Sequence, residues 1–241
     1  MKYIDLQIAF ELEINKFDDA LTKPKSEDTE YWLNIGLDKF VKTRYSGINY
    51  KGEGYNQSQK RTDDLRMVTV TKDYLSTDEL VTKTTVTTGD KYVITLPTDY
   101  LLTLGEDVNI TSTLDSWPKV NDVAIIKHEP VIESTIENVT EKLTNSLSEY
   151  RLHANNAKPI RVYTDNSIIL YTDGQYTISN YTLTYLKYPV KIDIHTKPFD
   201  LYSSMPEHTH IEIVKLAAQA YLENQTNQRY NSYSNEVSTM E

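Results

Sequence analysis

The stretch Pro206-Glu207-His208-Thr209-His210 holds two of the chain's five histidines beside a glutamate. Imidazole nitrogens and a carboxylate are ligands that a divalent metal accepts, so with Glu207 or Glu212 the pair could build a metal site for hydrolysis. Spacing decides between that chemistry and a structural role. Two residues apart on a helix, the histidines diverge by roughly 200° and cannot grip one ion, whereas on an extended segment they share a face. Pro206 favours the helix, because proline fits the first helical turn, where its missing N–H costs nothing. Glu207 and Glu212 then lie in or near the positive end of the helix dipole, and Thr209 with Glu212 resembles a displaced capping pair. The stretch is expected to open a helix.

Other chemical signatures are lacking. His128, His153 and His195 stand alone, and the carboxylate pairs Asp18/Asp19 and Asp63/Asp64 have no further oxygen ligands beside them for a hard cation. The seven glycines form no G-x-G-x-x-G fingerprint, phosphate loop or G-x-S-x-G elbow, and no H-E-x-x-H occurs. The absence of cysteine excludes disulfides, thiolate zinc sites and a cysteine nucleophile. No catalytic, cofactor-binding or metal-binding residue is assigned, and the chain is read as a non-enzyme.

Length and composition set the frame. The 241 residues, 39% of them apolar, suffice for one large domain or two modest ones. Against 25 basic residues stand 35 acidic ones, a formal charge of −10 that repels nucleic acid phosphates on average. No segment approaches the ~20 apolar residues of a membrane span. The acidic N-terminal stretch is unlike a signal peptide, so synthesis in a cytosol is expected. Nineteen tyrosines against four phenylalanines and two tryptophans suit strands and half-wet interfaces.

The elements that must carry these residues are read from periodicity. Leu6, Phe10, Ile14 and Phe17, with Ile4, Ile8 and Leu12 adjoining, predict a helix over 4–17 with one broad apolar face. Ser26 with Glu27 and Asp28 starts a second helix that runs to about Tyr45. From about residue 66 to 130, short β-branched and aromatic runs predict strands, and the three runs of 159–192 predict an antiparallel meander turning at Asp165/Asn166 and Asp173/Gly174. Ile132, Ile136, Val139, Leu143 and Leu147 predict a helix near 131–150. A last helix runs from Pro206 to about Glu223, followed by a polar tail. The reading is an α+β fold: a helical domain of 1–65 and 198–224, an inserted antiparallel β-rich domain of 66–197, and an extended tail of 225–241.

Three stretches, EYWLNIGLDKFVKTRYSG at 30–47, NQSQKRTDDLRMV at 56–68 and TYLKYPVKI followed by MPEHTHIEIVKLAAQAYLE at 184–223, resemble virion structural proteins of tailed phages, most closely those of crAss-like Bacteroidetes phages. The last stretch is also similar to head-to-tail adaptors such as the podoviral tail tubular protein A. The resemblance implies a homo-oligomeric, dodecameric ring in the neck, docked below the portal protein and against other neck or tail rings. Genomic DNA would pass through it without sequence-specific binding, with no membrane involved and no cofactor. In that setting Arg61, Asp63, Asp64 and Arg66, whose charges either pair with neighbouring chains or cap the turn, together with Arg229, Tyr230 and Tyr233 of the tail, are the candidate assembly-interface residues. Other tail or fibre-attachment proteins and a carbohydrate-binding module using the tyrosines stay open as alternatives, with a metal hydrolase on His208 and His210 last among them.

Overall fold

The computed structural model describes residues 1–15, 24–46 and 54–224, together with Ser234 and Val237. In chain order it holds the helices α1 (Tyr3–Asn15), α2 (Ser26–Ser46) and α3 (Gln59–Leu65), then the strands β1 (Thr69–Leu75), β2 (Val81–Val86), β3 (Gly89–Thr95) and β4 (Tyr100–Thr111). The short strands β5 (Lys119–Val120), β6 (Val123–Ala124), β7 (Lys127–Pro130) and β8 (Ile132–Glu133) follow. Helix α4 (Val139–Thr144), strands β9 (Ile160–Thr164), β10 (Ser167–Thr172) and β11 (Thr177–Lys187), and helix α5 (His210–Asn224) complete the chain. The class is α+β. Two compact units form, one from 1–69 with 188–241 and one from 70–187.

The helical unit draws on both parts of the chain that flank the insertion. Its core is made by Leu6, Phe10 and Ile14 of α1, Leu33, Leu37 and Phe40 of α2, and Ile213, Val214 and Ala217 of α5, all buried. Gly36 lets α2 and α5 meet closely: a Cβ there would stand 2.7 Å from the Ala217 nitrogen and the Ile213 carbonyl oxygen. Residues 188–197, expected in the β domain, belong to this unit instead. The physical reason is a set of side chains on α2 that act as a strand partner. Asn34 donates from Nδ2 to the Ile192 carbonyl at 3.0 Å and accepts the Ile192 N–H at 2.9 Å, while Glu30 accepts the Ile194 N–H at 3.0 Å.

The β unit is a sandwich of two sheets, with strand orders β1-β11-β4-β7 and β2-β3-β10-β9-β8. Alternation places Tyr92 and Ile94 of β3 and Ile168 and Leu170 of β10 against Val108 and Ile110 of β4 and Leu183 and Tyr185 of β11. The meander expected at 159–192 is corrected here: β9 and β10 pair antiparallel, but β11 leaves for the other sheet and pairs with β4. The cause lies at the turn. Asp173 accepts the N–H groups of Gln175 and Leu152, and Gly174 has φ +80°, which directs the chain out of the first sheet.

The helix expected near 131–150 is also corrected. Ile132 and Glu133 pair in parallel with β9, and only Val139–Thr144 is helical. Sheet hydrogen bonds, from Ile132 N–H to the Pro159 carbonyl and from Ser134 N–H to the Arg161 carbonyl, outcompete a weak helix former rich in valine, threonine and asparagine. Ile136 and Leu147 of the apparent period are exposed.

Candidate functional site

Pro206, with φ −58° and ψ 145°, leads into a single 3₁₀ turn of Glu207–Thr209, and α5 begins at His210. The buried Thr209 hydroxyl donates to the Pro206 carbonyl at 2.8 Å, so it does not cap with Glu212 as the sequence suggested. The two imidazoles part company. His210 is buried, with Nε2 3.1 Å from the Met205 carbonyl oxygen, a contact that requires the proton on Nε2. Burial, the largest influence, holds its pKa below the ordinary value of 6.5. His208 instead places Nε2 at 2.9 Å from Asp64 Oδ1. Among the described residues, no group of three or more histidine or carboxylate side chains could hold a metal ion.

Asp64 is the centre of an ionic cluster in the helical unit. Its fully buried carboxylate faces Arg44 Nε at 2.9 Å as well as His208. Arg44 also pairs with Glu212, which meets Lys60 Nζ at 3.1 Å. A carboxylate-oriented imidazole is the orienting half of an acid–base site, which also needs a nucleophile within reach. Among the described residues no hydroxyl is hydrogen-bonded to His208. The cluster ties both ends of α3, through Lys60 and Asp64, and the start of α5 to the end of α2.

This cluster corrects part of the expected assembly interface. Asp64 is used inside the chain, and Arg61 is buried, donating from Nη1 to the Thr43 carbonyl at 3.3 Å. A side chain without exposed surface cannot meet a neighbouring subunit. Asp63 and Arg66 do lie at the surface, paired with one another at 3.1 Å across one helical turn. Arg229, Tyr230 and Tyr233 lie outside the described residues, as do Asp18 and Asp19. Of the tail, Ser234 accepts a hydrogen bond from Gln219 Nε2 at 3.0 Å and Val237 is buried.

The β unit contains a polar cluster that sequence reasoning missed. Glu106 of β4 accepts from Arg161 Nε at 2.9 Å, from the Tyr163 hydroxyl at 3.1 Å and from the Tyr181 hydroxyl at 3.0 Å. Thr103 bonds to the Tyr163 hydroxyl and lies 2.8 Å from that of Tyr100. Tyr100, Thr103 and Glu106 are spaced by three, which in a regular strand would alternate faces. Register shifts against β11, which leave Leu101 and Leu104 unpaired, restore them to one face. Gly105 inside a strand pattern was the available signal for such a bulge.

The electrostatics fix the protons. Burial opposes the Arg161 charge, but Glu106, followed by Tyr163 and Glu133, holds the guanidinium above its ordinary value. Burial raises the Tyr163 and Tyr181 phenols far above 10, with Glu106 adding to both. The phenols stay protonated as donors and the carboxylate remains their acceptor. Arg161 also lies over the Tyr163 ring, 4.1 Å from its centroid. What this arrangement does is hold two sheets in one register.

No protein-family model matches the chain, and no curated protein matches it in sequence. No helix among the described residues is long and apolar enough to cross a membrane.

Proposed function

We propose that this chain is a virion structural protein, a head-to-tail adaptor or neck ring subunit that docks below the portal and continues the DNA exit channel. The observation that carries the reading is the insertion itself: a helical unit assembled from 1–69 and 188–241, with the β unit contributed by the segment between. The stretches that resemble phage neck proteins fall chiefly in the helical unit, on α2, on α3 and along the path from Tyr188 and Pro189 into α5. The charge of −10 suits a conduit through which DNA slides without sticking.

The reading assigns buried ionic clusters to scaffolding and places function on surfaces. Electron microscopy of the negatively stained full chain, over a concentration series, tests it. Closed rings with a central channel are expected, and a uniform field of small single particles at every concentration would contradict the ring.

A further inference from the structure

The segment 145–158, between α4 and β9 of the β unit, carries a surface cavity of about 270 Å³ lined by Leu147, Glu149, Arg151, His153, Asn156 and Lys158. That volume lies just under the ~300–1,000 Å³ of drug-sized pockets, so it suits a ligand of one small ring. The walls are fixed from behind. Tyr150 is fully buried, and its hydroxyl donates to the Leu143 carbonyl at 2.8 Å. Lys158 N–H donates to the Glu149 carbonyl at 2.9 Å, and Leu152 N–H donates to Asp173 at 2.7 Å. Ala154 and Asn155, with φ of 47° and 66°, form a tight turn in which His153 and Asn156 pair directly, so their side chains leave the same face.

Arg151 is held without a counter-charge. Its Nε donates to the Asn145 carbonyl at 3.2 Å, its Nη2 donates to the Leu143 carbonyl at 3.1 Å, and the guanidinium carbon lies 5.3 Å from the centroid of the Tyr150 ring. Two carbonyls and an aromatic face orient the guanidinium but carry no formal charge, and among the described residues Arg151 forms no ion pair and its Nη1 has no partner. In the same lining Lys158 Nζ and Glu149 Oε2 meet at 2.7 Å and cancel one another. Counting histidine as neutral, the cavity therefore carries one uncompensated positive charge, in a chain whose formal charge is −10.

We propose that this cavity binds a small polyhydroxy carboxylate, a sugar acid, with its carboxylate on Arg151. The fork of a pre-oriented guanidinium matches the two oxygens of a carboxylate. One uncompensated charge selects a monoanion, and the Glu149 carboxylate in the same wall repels a dianion such as phosphate. The rest of the lining asks for hydroxyls. Glu149 Oε1 accepts, the Asn156 amide both donates and accepts, and the His153 ring offers nitrogen; none of the three is hydrogen-bonded within the chain among the described residues. An apolar ligand would leave those groups unpaired, whereas a ring bearing hydroxyls meets them, with Leu147 beside its C–H face. The site lies wholly within the β unit and stands independently of the neck reading.

Saturation-transfer NMR on the full chain tests this, with glucuronate, glucose and inorganic phosphate as probes, because the method reads weak binding to a monomer or a ring alike. Glucuronate should bind in the millimolar range. Glucose, the same ring without the carboxylate, should give no signal, and phosphate should not displace glucuronate. Arg151→Gln should weaken glucuronate binding at least about tenfold and Asn156→Ala about fivefold, as one charged and one neutral hydrogen-bonded contact would. Circular dichroism checks folding. Because Arg151 also holds the wall, Asn156→Ala, which trims an exposed side chain, decides the matter if the Arg151 variant unfolds. The proposal is overturned if glucuronate gives no saturation transfer, if glucose binds as well, if phosphate displaces glucuronate, or if Asn156→Ala binds like the wild type.

Discussion

Arg161 and Glu106 meet at 2.9 Å inside the β unit, with side chains 8% and 7% exposed, and join β9 of one sheet to β4 of the other. Neither charge is solvated, so each depends on its partner and on the tyrosine hydroxyls around it. Removing one partner strands the other. Glu106→Leu or Arg161→Met alone should cost about 3–5 kcal/mol, and the double replacement should cost less than either single change. Urea unfolding of the three variants measures this, and additive losses in the double variant would contradict the coupling.

Gly36→Ala should destabilise the helical unit even though alanine is the better helix former by about 1 kcal/mol. The added Cβ would stand 2.7 Å from two backbone atoms of α5, so the helices must separate, at a cost of about 1–3 kcal/mol. Gly105→Ala is the control, because a Cβ there meets nothing within 4 Å. Thermal unfolding should show a lower midpoint for the first variant and a nearly unchanged one for the second.

Burial keeps His210 neutral in the folded chain below the pH at which the unfolded chain binds a proton. The unfolded state therefore gains protons as pH falls through 6.5, and the folded state does not until its lowered pKa is reached. Stability is full above that window and declines below it. The difference in unfolding free energy between the wild type and His210→Gln, measured from pH 7.5 to 5.5, should shrink toward acid. A difference that is constant with pH would refute a buried neutral imidazole.

The buried phenols give the opposite sign. Burial raises Tyr163, Tyr176 and Tyr181 above the ordinary value of 10, and pushes Tyr74 and Tyr185 up to about 12. The stabilisation is complete below pH 10 and is lost as pH rises beyond it. Ultraviolet titration should show some tyrosines ionising near 10 and the rest only as the β-sheet circular dichroism disappears. Full ionisation near pH 10 with the sheet signal intact would contradict this.

What could be read from the sequence depended on whether local signals agreed with one another. Pro206 and the spacing of Ile213, Val214, Ala217, Ala220 and Tyr221 both pointed to α5, and all of these but the half-buried Ala220 are buried. At 131–150 they conflicted: the helical period was present, but β-branched residues and the edge of β9 decided for Ile132 and Glu133. The broad apolar face assigned to α1 divided into a buried and an exposed stripe, a difference set by what packs beside the helix. Glu106 and Arg161 are 55 residues apart, and two irregularities in β4 set the face on which Glu106 stands. Nothing local in the sequence announces such a pair. The PEHTH stretch was read as a helix entrance from proline and spacing, but the partners of its histidines, Asp64 and the Met205 carbonyl, are tertiary contacts.

The central claim concerns a place in a particle. Immunogold electron microscopy of phage particles made from the genome that encodes this chain, using antibody against the purified protein, tests it most directly. The neck reading predicts gold confined to the junction of head and tail on each particle. Gold on fibres or spread over the head, or intact particles that carry none, would contradict it.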